Sequence, residues 1–180
     1  MGLAIAQTPA APDGFVAPAP ALAPSLRRAT VADLPAVCRL VNRAYAVESF
    51  FVDGERTGLA EVARLAERGH FLVLDGAGGE LAAAVHLQVA VDGARCVLSM
   101  LAVAPELQRR GLGHRLVAVV EAMGAALGCE RVGLDIVNLR DELGPWYRRL
   151  GYREVGTTPY DHRPARRACH FVRMEKPLRA

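Results

Sequence analysis

Between Arg95 and Gly128 the chain passes from an apolar, strand-like run to a helical stripe, and the passage is made in a handful of residues. Arg95 to Val103 reads as a strand that Pro105 stops. Leu112, Leu116, Val120, Met123 and Leu127 then recur at helical spacing, with Gly128 as the stop signal. Between the two lies Gln108-Arg109-Arg110-Gly111-Leu112-Gly113. A strand that feeds a helix through so short a loop needs a sheet for the helix to pack on, so the chain must be an α/β protein. The loop also has a chemistry. Free N–H groups at a helix start, added to its dipole, attract an anion. Glycine at 111 and 113 removes side chains that would hold a pyrophosphate off that backbone, and Arg109 and Arg110 add cationic donors at the rim.

The rest of the chain supplies the sheet. Met1 to about Pro24 is rich in Ala and Pro and reads as a mobile tail, with one domain from residue 25 to 180. Ser25 to Ala29 is a short edge strand. Thr30, with Asp33 three residues on, caps a helix whose apolar face is Leu34, Val37, Cys38, Val41 and Tyr45. A loop over 47–56 leads to a second helix from Thr57 to Arg68. Phe71 to Leu74 and Leu81 to Val89 form a hairpin, and Arg95 to Val103 follows. The helix after the loop is expected over 113–127. Beyond it come a strand, Arg131 to Val137, a short helix over 142–150 with Pro145 in its first turn, and strands over 152–156 and 169–176. No internal repeat is present.

Several functions are excluded or weakened at this level. A dinucleotide fingerprint wants a third glycine where Leu116 stands and a strand ending closer to Gly111 than Val103 does. A phosphate loop of the G-K-[ST] type is absent. The formal charge of +3 is too small to imply nucleic acid, and Arg148, Arg149, Arg153, Arg163, Arg166 and Arg167 lack interleaved aromatics for base stacking. Lys176 is the only lysine among 22 basic residues, a bias that suits phosphate contacts but is equally a codon effect. Cys38, Cys96, Cys129 and Cys169 form no C-x-x-C pair and read as buried free thiols, with no metal site. No apolar run spans a bilayer and the first residues lack a secretory pattern, so the expectation is a cytoplasmic protein without membrane contact.

A second constellation follows the first: Asn138, then Trp146, Tyr147, Gly151 and Tyr152. With both segments in order, the sequence resembles the GNAT superfamily of N-acetyltransferases from Leu26 to about Leu178. Gln108, Gly111 and Gly113 match that family's R/Q-x-x-G-x-G/A signature, approached through Leu101-Ala102-Val103 and Pro105; Asn138 and Tyr147-x-x-x-Gly151-Tyr152 match its second motif. The resemblance implies an α/β (α+β) fold: a mixed, mostly antiparallel, twisted sheet of six to seven strands flanked by about four helices. It implies acetyl-CoA as co-substrate, without a metal. The main chain of Leu101, Ala102 and Val103 would hold the pantetheine arm with Asn138. The segment Gln108, Arg109, Arg110, Gly111, Leu112, Gly113 and His114 would hold the pyrophosphate, and Tyr147 would lie near the sulfur.

Acyl transfer to an amine needs a neutral amine, a stabilised carbonyl oxygen and a thiolate able to leave. Tyr147 is the candidate general acid, since a phenol with an ordinary pKa of ~10 keeps its proton at neutral pH. From the residues alone it reads rather as a core aromatic beside Trp146, and its place in the family motif is what makes it a catalytic candidate. A backbone N–H near Val103 is placed to polarise the carbonyl. No Cys or Ser stands in a nucleophile context, so direct attack in a ternary complex is expected. Glu48 is the candidate base, or else a solvated loop charge. His86 and Ser99 stand on central strands where a side chain faces either the site or the core, and His86 reads rather as a hydrogen-bonded strand histidine. Glu48, Phe50, Phe51, Asp53 and Glu55 together suggest an acidic, aromatic-edged entrance for a cationic amine, unless the two Phe residues pack inward. The loop from Tyr160 to Arg167 is a candidate lid whose arginines suit an acidic substrate, the 3′-phosphate of CoA or simply solvent. The acceptor is a small-molecule or peptide amine, and the protein a monomer or homodimer. The competing reading is a non-catalytic module that senses acyl-CoA.

Overall fold

The computed structural model describes residues 25–178. The expected tail lies outside them. Seven strands form one sheet: β1 (Leu26–Arg28), β2 (His70–Asp75), β3 (Leu81–Val89), β4 (Arg95–Val103), β5 (Arg131–Val137), β6 (Arg153–Pro159) and β7 (His170–Pro177). Their spatial order is β1-β2-β3-β4-β5-β7-β6, and every neighbouring pair is antiparallel except β4 with β5. Four α-helices flank it: α1 (Leu34–Tyr45), α2 (Leu59–Arg68), α3 (Leu112–Ala126) and α4 (Leu143–Arg149). The expected element order and the mixed, mostly antiparallel sheet are therefore observed.

Differences at the element ends have local causes. Thr30 and Asp33 open a short 3-10 turn over Val31–Asp33, and the α-helix starts at Leu34 with Pro35 in its first turn. Asp33 Oδ2 accepts the Thr30 N–H at 2.7 Å, and its carboxylate also takes the Arg27 guanidinium, which reaches on to Asp75. These bonds hold the Asp33 carboxyl well below the usual carboxylate range. Helix α2 starts two residues later than expected because Thr57 is already engaged. Its N–H donates to Asn42 Oδ1 and its C=O accepts from Asn42 Nδ2, both at 2.9 Å, and its hydroxyl meets Glu61 at 2.8 Å. Strand β6 extends to Pro159 by pairing with His170 of β7, and β7 extends to Pro177 by pairing with Arg131 of β5.

The two faces of the sheet carry separate cores. On one, α3 and α4 cover Leu72, Leu74, Val85, Leu87, Leu98, Val132 and Leu134; on the other, α1 and α2 cover Phe71, Val73, Ala84, Met100 and Ala102. Strand β3 lies between both and is buried from Leu81 to Leu87, which accounts for its unbroken apolar sequence. His86 within it is 1% exposed, so its polar atoms need partners. Nε2 lies 2.9 Å from the Leu65 carbonyl and must donate to it; Nδ1 then accepts from the Ser99 hydroxyl at 3.1 Å. Burial lowers the His86 pKa and keeps the ring neutral. His86 and Ser99 thus tie α2 to the sheet, as expected of strand residues. Of the four cysteines, Cys96 and Cys129 are buried, while Cys38 and Cys169 are only partly so, and none forms a disulfide.

The feature that positions the site is a split in the sheet. Strands β4 and β5 pair only through Arg95↔Arg131, Cys96↔Val132 and Val97↔Gly133. On the other side of β4 the register slips: His86 pairs with Ser99 and Ala84 with Ala102, so β4 carries one residue more than β3 there. Met100 absorbs it with a left-handed φ of 52°. A bulge bends its own strand, and beyond it β4 runs free of β5.

Candidate active site

At the free end of β4 the side chains alternate between the two cores. Leu101 and Val103 pack towards α3 and α4, while Met100, Ala102 and Ala104 face α1 and α2. The main chain of Leu101 and Val103 therefore lies along the edge of the split. After a 3-10 turn over Pro105–Leu107, Gln108 Nε2 donates back to the Val103 carbonyl at 3.4 Å and holds the loop against the strand. Arg109 then takes φ 62° and Gly111 φ 80°, both left-handed, immediately before α3. Backbone that changes hand in this way curls its N–H groups into a concave anion-binding nest. The first bond of α3 runs from the Arg115 N–H to the Gly111 carbonyl at 2.9 Å. The amides of Leu112, Gly113 and His114 precede it and have no carbonyl within the helix to receive them.

Only glycine adopts the Gly111 conformation without strain, and the space its missing side chain would enter is open for 4 Å. A Cβ on Gly113 would stand 3.7 Å from both Val103 and Trp146. The end of β4, the start of α3 and helix α4 thus converge on one small cradle. Arg109, Arg110 and His114 are exposed at its rim.

Helix α4 carries Tyr147 into the core it shares with α3. Its ring is 5% exposed, packed edge-on against Trp146 (4.6 Å) and Tyr152 (5.4 Å). Burial pushes its pKa well above that of an ordinary tyrosine; the Tyr45 phenol adds to this and Arg140 opposes it. Tyr45 ends α1 and packs with the opposite core. The two phenols thus belong to cores on opposite faces of the sheet. Asn138 follows β5. Its N–H donates to the His170 carbonyl at 3.0 Å and its Oδ1 accepts the His170 N–H at 2.8 Å, so its oxygen closes β5 onto β7 and only Nδ2 is left to donate elsewhere.

Over the α1–α2 segment, Glu48 sits in a 3-10 turn (Ala46–Phe50), 5% exposed, with Oε1 accepting from Arg140 Nη1 at 3.2 Å. Burial raises its carboxyl pKa against the opposing charges of Arg56 and Arg140. Glu48 is thus a buried carboxylate held by Arg140, not a solvated loop charge.

The remaining expectations for this side of the protein need revision. Phe51 is fully buried with Val52, Val137 and Phe171, so it packs under the entrance rather than on it. Tyr160 lies over Phe171 (5.0 Å) and Phe51 (6.1 Å), and Phe50 stays 40% exposed with the Arg167 guanidinium stacked on it. The loop expected to be a lid is clamped to the α1–α2 segment. Arg163 Nη1 donates to the carbonyls of Asp53, Gly54 and Glu55; Arg166 bonds the Ser49 carbonyl and pairs with Asp53 at 3.2 Å; Val52 and Ala165 form a β-bridge. Asp53 thus has a cationic neighbour at the surface. An acidic mouth is therefore not what the folded chain presents.

Residues 34–152 match the sequence profile of the Acetyltransferase (GNAT) family. The chain belongs to that family. Among solved structures it is similar to the ribosomal-protein-S18-alanine N-acetyltransferase of Escherichia coli, at 22% identity and a TM-score of 0.72, over 87% of this chain and 94% of that one. It is also similar to nourseothricin acetyltransferase, at 18% identity and 0.70 over 87% and 99% of the chains. The phosphinothricin acetyltransferase of Sinorhizobium meliloti, solved with acetyl-CoA, matches at 19% and 0.67 over 87% and 89%. These likenesses are of fold. No curated protein sequence matches the chain.

As a GNAT acetyltransferase, the protein belongs to a family whose co-substrate is acetyl-CoA, and its cradle fits the chemistry of a diphosphate: left-handed backbone at Arg109 and Gly111, free amides ahead of the first helical bond, and open space at Gly111. Among the described residues there is no cluster of side chains able to hold a metal ion and no helix long and apolar enough to cross a membrane. Sequence reasoning missed Tyr45, Arg140 and Asn42. Tyr45 was legible as the last residue of the α1 stripe, but the stripe reads as core; Arg140 and Asn42 belong to no motif.

Proposed function

We propose that this GNAT acetyltransferase moves the acetyl group of acetyl-CoA to a primary amine by direct attack in a ternary complex. The observation that supports this reading is the split between β4 and β5 beside the left-handed start of α3, with Tyr147 in the core on one face of the sheet, Tyr45 in that on the other, and Glu48 buried in the turn after α1. Acetyl-CoA supplies the activated thioester. Leu101 and Val103 offer main-chain groups along the edge of β4 for the pantetheine arm, with Asn138 Nδ2 across the split. The amides from Arg109 to His114 receive the pyrophosphate. Tyr147 holds a proton on Oη for the departing sulfur, and burial keeps that proton in place at neutral pH. Cys38 and Cys169, the partly buried thiols, have pKa values raised by burial and by Glu55 and Glu48 respectively. Both stay protonated and are poor nucleophiles, which favours direct attack over an acyl-enzyme.

Purified protein incubated with acetyl-CoA and a broad set of primary amines should release free CoA thiol with at least one of them and form the N-acetyl product. Tight acetyl-CoA binding without thiol release across the set would replace the enzyme by a sensor of the cofactor.

Glu48 takes the proton of the attacking amine in this reading. A carboxyl raised above its ordinary range accepts a proton only above that raised pKa, so activity falls on the acid side. Glu48→Gln should lower kcat/KM by about 100-fold and abolish that acid limb. A pH–rate profile of unchanged shape in the variant removes Glu48 from the mechanism.

A further inference from the structure

An open cleft of ≈ 710 Å³ lies between the outer face of α1 and the segment from Ser49 to Arg56, with Tyr45 in its wall. Tyr45, Ala46 and Ser49 line it, and Glu48 belongs to the same Ala46–Phe50 turn, so the cleft adjoins the side of the site that carries the candidate base. Its charged lining is Arg39, Arg43, Arg56 and Arg163 against the single carboxylate of Glu55. Arg43 is paired with Glu106 at the rim. Among the described residues Arg39 has no hydrogen bond or ion pair, and Arg56 makes no direct ion pair, resting on the Tyr45 ring at 5.3 Å with its charge also felt by Glu48. Arg163 donates through Nη1 to backbone carbonyls, yet its Nε is buried without an acceptor. A buried guanidinium N–H left unbonded is costly, and a charged acceptor placed there removes the cost.

We infer that the acceptor is an amine that also bears an anionic group, a carboxylate or phosphonate, which the arginines of this cleft hold while the amine points into the split between β4 and β5. The inference rests on the acetyl-transfer reading above and specifies its substrate class. The same arginines serve the chemistry. Positive potential at the mouth attracts the anion, and close to the amine it disfavours the ammonium form, so more of the bound acceptor is the neutral nucleophile. It also replaces the cationic amine suggested by the acidic residues of the 48–55 segment, since Glu48 is bound by Arg140 and Asp53 by Arg166.

Matched amines test this: α-amino acids and aminoalkylphosphonates against the same compounds as amides or simple alkylamines. Calorimetric binding to the CoA-loaded protein and thiol release with acetyl-CoA are read in parallel. The acid-bearing members should be favoured by roughly 10- to 100-fold in kcat/KM, the range of a charge-assisted contact, and carboxylate against phosphonate is ranked by the same pairs. An Arg39→Gln, Arg56→Gln double variant should raise KM for the acid-bearing acceptors by about 10-fold and leave KM for acetyl-CoA unchanged. Equal or better use of neutral amines overturns the inference. So does a double variant with unaltered preference, or a protein that binds acetyl-CoA but neither binds nor acetylates any acid-bearing member. Failure to bind acetyl-CoA sinks the parent reading, and this one with it.

Discussion

Tyr147→Phe should lower kcat by about 100- to 10,000-fold and leave acetyl-CoA affinity within about threefold, the mark of a group that acts on the departing sulfur and not on binding. The substitution is clean because the ring is what the fold uses. Trp146 and Tyr152 pack on the aromatic edges at 4.6 and 5.4 Å, and Phe keeps both contacts. The hydroxyl has no hydrogen bond among the described residues, so its loss leaves no partner unsatisfied and thermal stability should hold. Because burial raises the Tyr147 pKa, the wild-type enzyme should show no loss of activity from its ionisation up to the ordinary tyrosine value of about 10. A variant with full turnover and normal acetyl-CoA binding would leave the thiolate to depart without Tyr147. The kcat readout separates this from damage to the nest, which appears first in acetyl-CoA affinity.

Gly69→Ala should be the most damaging single-methyl change away from the site. Its backbone is extended, so chirality is no obstacle; space is. A Cβ at 69 would lie 2.3 Å from the Leu87 carbonyl and 2.7 Å from His86 Nε2. Leu87 is paired with His70 in the ladder between β2 and β3, so its carbonyl cannot retreat without opening that ladder. His86 Nε2 is the donor to Leu65 that ties α2 to the sheet. Overpacking costs about 1–3 kcal/mol and a buried donor stripped of its acceptor a similar amount, so the variant should lose about 3–5 kcal/mol. At this chain length that is a fall of roughly 10 °C in Tm by calorimetry. A Tm within about 2 °C of wild type would show that the β2–β3 hairpin yields more easily than its pairing implies.

The phosphate cradle was legible because everything it needs is contiguous. The left-handed turn at Gly111, the free amides and the helix dipole all follow from the order Gln108 to His114, and local geometry depends on local neighbours. Tyr147 was legible only through a family motif; by periodicity it is one more core aromatic, and the structure does bury it as one. The base and the acceptor pocket were less accessible. Glu48, Asp53 and Glu55 read as an acidic mouth when taken in sequence. The partners of Glu48 and Asp53, Arg140 and Arg166, stand far along the chain, Arg140 being 92 positions after Glu48. The split itself has no sequence mark: Met100 takes a conformation unusual for a residue with a side chain, where no Gly or Pro announces it.

From the sequence alone came the order of the elements, the sheet with its flanking helices, and the left-handed glycine turn that opens α3. Each depends on apolar period, capping and backbone freedom, which act over a few residues. The tertiary structure alone decided that β4 and β5 part beyond Val97 and Gly133, that Glu48 is buried against Arg140, and that the cleft beside Tyr45 is basic. Register slips, cavities and electrostatic potential are sums over groups brought together by packing, and their sign changes with a partner a hundred residues away.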